Sequence, residues 1–166
     1  AYPEWFGTNT TPGTTDMTNP LQYAITALSS GGVVKLSTTT YAFTNINISN
    51  ANITLEGEGG GSILATTMAA NVDTLPALWV KASGVTLKNF KATWVTIPTT
   101  YQYGQSIEKN DVIAVGWLTV TGGQPVISKT VIDGVYVYGG KQHGISVGWS
   151  NDTQIRNCRV EEVYGT

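Results

Sequence analysis

Ile53-Thr54-Leu55-Glu56-Gly57, Val85-Thr86-Leu87-Lys88-Asn89-Phe90, Val131-Ile132-Asp133-Gly134-Val135 and Gln154-Ile155-Arg156-Asn157-Cys158 are four renderings of one pattern. Each is a short alternating run that meets a corner at Gly57, Asn89, Gly134 or Asn157, after which a second strand is expected. Gly and Asn are the residues that tolerate the left-handed backbone, so the column predicts a recurring corner with positive φ. The flanking apolar residues, Leu87 and Phe90, Ile132 and Val135, Ile155 and Cys158, are expected to point inward. The residue before the corner (Glu56, Lys88, Asp133, Arg156) is charged every time and is expected to point out.

Equivalent positions Leu55, Leu87, Ile132 and Ile155 are separated by 32, 45 and 23 residues. A period in the low twenties suits a coil of parallel strands. The 45-residue step fits two coils, or one coil with an insertion around Thr96–Asn110. A single coil cannot bury its apolar face, so neighbours must stack. The reading is an all-β fold, a right-handed parallel β-helix. Residues 46–166 would supply about five coils, a rod of about 25 Å at the spacing of paired strands.

Working outward, residues 1–18 form a turn-rich N-terminal segment. Residues 19–31 read as one short capping helix. Asn19 is suited to its cap and Pro20 to its first position, Leu21, Ala24, Ile25 and Leu28 share a face, and Gly31-Gly32 stops it. That helix would cover the first exposed strand edge. Residues 32–166 then form the β-helix coils. Val163-Tyr164-Gly165-Thr166 follow a coil with no capping element, which gives the expectation that these residues are the N-terminal part of a longer β-helix.

Composition agrees and excludes several classes. The 166 residues are 41% hydrophobic, 12% charged and carry a formal net charge of -2. Low hydrophobicity with high charge, the mark of a disordered chain, is missing. The charge balance leaves no nucleic-acid footprint. No run is long enough to insert in a membrane as a helix. Cys158 is the single cysteine and His143 the single histidine, so neither a disulfide framework nor a metal centre is expected, and no cofactor is implied.

Trp5-Phe6-Gly7, Thr15-Asp16, the helix ending in Gly31-Gly32-Val33-Val34-Lys35-Leu36, Tyr41 and Ile53-Thr54-Leu55-Glu56-Gly57-Glu58-Gly59 together resemble the start of a known module. It is the pectate-lyase-like (pectin-lyase-like) right-handed β-helix of bacteriophage tailspike and tail appendage proteins. The resemblance covers residues 4–62; the later coils match only as generic β-helix. A Gly-Asp-Gly element is missing, Thr15-Asp16-Met17-Thr18 replaces Thr-Asp-Asp-Thr, and Ser37-Thr38-Thr39-Thr40 replaces a Pro-Gly turn. The resemblance implies a homotrimer in the virion tail that binds, and in many members degrades, cell-surface polysaccharide. The alternatives are a secreted polysaccharide lyase or glycoside hydrolase of the same fold, and a purely structural shaft.

Glycoside hydrolysis generally needs two carboxylates about 5 to 9.5 Å apart. The acids of the coil region are Glu56, Glu58, Asp73, Glu108, Asp111, Asp133, Asp152, Glu161 and Glu162. Asp111, at the start of the strand Val112-Ile113-Ala114-Val115, His143, at the start of Gly144-Ile145-Ser146-Val147, and Glu161 are the catalytic candidates within these residues, while the catalytic groups of a polysaccharide depolymerase are expected in later coils or between subunits. Stacked coils would bring Asp111 and His143 near each other. Outward aromatics are the binding candidates, because flat amphipathic rings suit sugar faces: Trp79, Tyr136, Tyr138 and Trp149, with Trp94, Tyr101, Tyr103, Trp117 and Tyr164 in the wider set. A subunit interface is the plainer role for the same rings. Gly57-Glu58-Gly59-Gly60-Gly61-Ser62 lacks the helix and lysine of a nucleotide loop.

Overall fold

The computed structural model describes residues 1–68, 75–96, 111–116, 125–140 and 143–163. Asp73, Tyr101, Tyr103, Glu108, Trp117 and Tyr164 lie outside them. A 3₁₀ turn, Pro3–Trp5, and the helix α1, Thr18–Thr26, precede the strands. The chain then passes through β1 (Gly32–Lys35), β2 (Thr40–Phe43) and β3 (Ile46–Ile48), and through β4 (Ile53–Glu56), β5 (Ile63–Thr66) and β6 (Leu78–Val80). Next come β7 (Thr86–Lys88), β8 (Lys91–Trp94), β9 (Ile113–Gly116) and the short β10 (Ile127–Ser128). The last are β11 (Val131–Asp133), β12 (Tyr136–Gly140), β13 (Ile145–Gly148), β14 (Ser150–Asn151), β15 (Gln154–Arg156) and β16 (Arg159–Val163).

These strands are sorted into parallel sheets in strict rotation. The first sheet runs β1-β4-β7-β11-β15, the second β2-β5-β8-β12-β16, the third β3-β6-β9-β13, and β10 pairs with β14. Parallel neighbours need a crossover between them, and here each crossover is the passage through the other sheets. Leu87 pairs directly with Ile132. The 45-residue step is therefore one circuit with inserted residues, not two.

The pairing register explains the core. Val34, Leu55, Leu87, Ile132 and Ile155 form one continuous column. Tyr41, Leu64, Ala92, Val137 and Val160 form a second. Ile48, Val80, Val115 and Val147 form a third. All are buried except the last member of each column. Ile155, expected to be buried, is thus in register with the core but 48% exposed, because no strand stacks on it among the described residues; Cys158 is half-buried for the same reason.

The corner column is present, with one correction. Asn89, Gly134 and Asn157 have φ of 57°, 64° and 53°, as their residue types predict. Gly57 is not among the positive-φ residues. Its glycine is required by crowding instead: a Cβ there would stand 2.4 Å from the Asn89 carbonyl oxygen and 2.8 Å from the Phe90 Cβ. The charged column gains a fifth member, Lys35, and alternates in sign: Lys35, Glu56, Lys88, Asp133, Arg156. Glu56 bridges Lys35 at 2.6 Å and Lys88 at 3.0 Å, and Asp133 bridges Arg156 at 2.9 Å.

The helix starts and stops earlier than its sequence suggests. Asn19 and Pro20 are inside it, and the cap is supplied from outside by Asp16, whose carboxylate accepts the Thr18 amide at 2.9 Å and the Thr18 hydroxyl. It ends at Thr26, well before Gly31. The Asn50 side-chain amide donates to the carbonyls of Ile25 and Leu28, at 3.3 and 3.4 Å, and so satisfies groups that another turn would have used. Gln22 exchanges two hydrogen bonds with the backbone of Asn47, which fixes α1 along β3.

Candidate functional site

Asp111, His143 and Trp79 belong to the sheet of β3, β6, β9 and β13, whereas Tyr136, Tyr138 and Glu161 belong to the second sheet. Ile113 pairs with Ile145, so the residues two positions earlier, Asp111 and His143, fall side by side at the entrance to β9 and β13. The ladder extends to them, with Val112 and Ile113 amides donating to the carbonyls of His143 and Gly144. His143 Nδ1 lies 2.9 Å from Asp111 Oδ1, and the Ser146 hydroxyl donates to Asp111 Oδ2. Asp111 is 1% exposed, whereas the His143 side chain is 52% exposed.

An ionised carboxylate only accepts, so with Asp111 in that form Nδ1 would carry the hydrogen between them and Nε2 would be the ring atom turned away from Asp111. Asp111, buried and engaged at both oxygens, orients the ring and does not itself reach outward. The arrangement can take a proton from a substrate or from water through His143 and return it. Ser146 went unnoticed in the sequence because its link to Asp111 crosses from one strand to the next. Its signal was its place in the outward register of β13.

Trp79 occupies the outward register of the same sheet. It pairs with Ala114, and Ala114 pairs with Ser146. Two strand spacings therefore separate Trp79 from Ser146, about 10 Å. The indole is fixed in place: Nε1 donates to the Gly116 carbonyl at 2.7 Å, and the Lys81 ammonium stands 3.8 Å from the ring centroid. Desolvation holds the Lys81 pKa below its ordinary value.

Tyr136 and Tyr138 are on the outer face of the second sheet, with ring centroids 6.0 Å apart. Lys91 and Arg159, its register neighbours on either side, stand 5.3 and 5.5 Å from the Tyr136 ring, and Lys91 also lies 4.8 Å from the Tyr138 ring. The Tyr136 hydroxyl donates to Glu161 at 2.8 Å, and Arg159 pairs with Glu161. The Tyr136 hydroxyl, then Arg159, holds the Glu161 carboxyl below the usual range. Among the described residues no hydrogen bond or ion pair links Glu161 to Asp111 or His143, so the three catalytic candidates divide into a pair and a separate ion-paired acid. Lys91, Arg159 and Lys81 were missed as ring partners; each lies in outward register beside or near a ring that the alternation did expose.

Trp149 is 43% exposed and stands at a corner after β13, with φ of 49°. Trp94 is buried, not exposed. The aromatic candidates therefore occupy three separate places and form no single row. Among the described residues no group of three or more His, Cys, Asp and Glu could hold a metal, and no helix is long and apolar enough to cross a membrane. No family model, no curated protein and no solved structure matches the chain.

Proposed function

We propose that the chain is a stretch of right-handed parallel β-helix from a bacteriophage tail appendage, and that its lateral surface recognises and acts on cell-surface polysaccharide. The rotation of strands through three parallel sheets supports the helical winding. The observation that carries the function lies in the sheet of β6, β9 and β13. It holds an indole bonded to the Gly116 carbonyl and, at the entrance to β9 and β13, an imidazole hydrogen-bonded to a buried carboxylate. The indole gives a flat platform for a sugar ring. His143 would supply acid–base chemistry from the entrance to β13 of the same sheet. The carboxylate here, Asp111, is buried and hydrogen-bonded to His143 and Ser146, so the group offered to a substrate is the imidazole, and proton abstraction by His143 is the chemistry proposed.

The test is a glycan array followed by an assay for released ends or unsaturated products. Trp79→Ala is expected to lose binding. His143→Ala is expected to keep binding and lose product. Silence across a broad array, with the fold intact by circular dichroism, would sink the proposal. A structural shaft is the second reading, favoured by one observation: the Tyr136 ring is already flanked by Lys91 and Arg159, an arrangement that stiffens a surface without a ligand. The trimer belongs to the same proposal, and light scattering on the assembled protein checks it.

A further inference from the structure

Ser146 stands in the outward register of β13. It pairs with Ala114 of β9, which in turn pairs with Trp79 of β6. The other outward positions of β9 and β13 are held by Ala114, Gly116 and Gly148, so Ser146 carries the single hydrogen-bonding side chain that alternation turns outward on these two strands. The Trp79 indole is bonded to β9 at the Gly116 carbonyl. One strand spacing, about 4.8 Å, takes β9 to β13. Ser146 is therefore the polar group on the strand next to the one that anchors the indole.

A serine hydroxyl has one proton and two lone pairs. The Ser146 proton is directed to Asp111 Oδ2. With Asp111 ionised that proton is committed, and Ser146 meets a ligand as an acceptor. The same carboxylate bonds His143 through its other oxygen. A group that donates to Ser146 is thus seated on the residue that shares Asp111 with the imidazole. We infer that Ser146 is a specificity-determining residue, which accepts a hydrogen bond from a free hydroxyl of a saccharide whose neighbouring ring lies on Trp79. The inference rests on the polysaccharide reading above and adds what that sheet selects: a free O–H at this point, against the same sugar capped there by an O-methyl or O-acyl group. Capping sets oxygen against oxygen and removes the bond.

The test prints hexose, N-acetylhexosamine and hexuronate tetrasaccharides, each with all hydroxyls free and in forms with one hydroxyl O-methylated. The wild type is expected to bind one free tetrasaccharide about tenfold more tightly than one of its mono-O-methyl forms. Ser146→Cys keeps a proton for Asp111 but offers a weakly accepting sulfur. It should bring that ratio close to unity, and Ser146→Thr should restore it, with circular dichroism checking both folds. A role confined to holding Asp111 would weaken the free and methylated probes alike and leave the ratio unchanged. That result, or a wild type that discriminates against no mono-O-methyl form, overturns the inference; the polysaccharide reading would still stand on binding that Trp79→Ala abolishes. A wild type that binds none of the probes overturns both.

Discussion

Single residues in this protein owe their identity to different forces even where they look alike. Gly57 and Gly60 are near neighbours in one Gly-rich turn, yet a side chain at Gly60 would meet nothing within 4 Å, whereas at Gly57 it would enter the space of the Asn89 carbonyl. Gly57→Ala should therefore destabilise by about 1–3 kcal/mol, with Gly60→Ala close to neutral; thermal unfolding of the pair checks the contrast. Tyr41 is a second case. It is fully buried, its hydroxyl donates to the Glu4 carboxylate and it accepts the Ser37 amide at 2.8 Å. Burial first, and the Glu4 bond second, push its pKa well above the ordinary tyrosine value. The folded state thus holds this proton more tightly than the unfolded chain does. The stability it contributes is complete below about pH 10 and is lost as pH rises beyond that. Tyr41→Phe should cost about 1 kcal/mol at neutral pH by stranding Glu4 and the Ser37 amide, and should flatten the alkaline limb of the unfolding midpoint.

At the scale of elements, legibility in the sequence followed whether a signal was local. Strands β4, β7, β11 and β15 were readable because alternation, a charged residue and a corner residue recur within six positions. Lys35 belongs to the same column but was missed, since Leu36, and no corner glycine, follows it. Asp111 and His143 could be paired in advance because each stands just ahead of a strand in the same sheet. Ser146 could not, because its bond to Asp111 depends on cross-strand register. The helix boundaries failed for a related reason: the groups that end α1 come from Asp16 and Asn50, the latter more than twenty residues away. Asp16→Ala removes the acceptor of the Thr18 amide and should cost about 1 kcal/mol. Because α1 seals the edge of β3, the loss should also appear as faster hydrogen exchange at Asn47, whose amide bonds to Gln22.

Along the whole molecule the first sheet carries alternating charge on all five strands, tied as two ion-paired groups, Lys35–Glu56–Lys88 and Asp133–Arg156. Its acids are held ionised by their neighbours. Lys35 and then Lys88 lower the Glu56 pKa, and the Asn157 amide followed by Arg156 lowers that of Asp133. For a depressed carboxylate the unfolded chain takes up a proton first as the solution is acidified. The ladder's contribution is therefore whole above about pH 4.5 and disappears as pH falls through the folded-state values. Unfolding midpoints measured across that range should show an acid limb. Glu56→Gln should shrink it more than Asp133→Asn, because Glu56 contacts a cation on each side and Asp133 bridges only one. The side chain of Lys35 is 44% exposed and that of Lys88 is 35% exposed, so salt should screen both contacts. At high ionic strength the wild-type limb should approach that of the Glu56→Gln variant. A limb unchanged by both substitutions and by salt would mean that the rungs set register without contributing stability, and the length of the stack would then be held by its apolar columns alone.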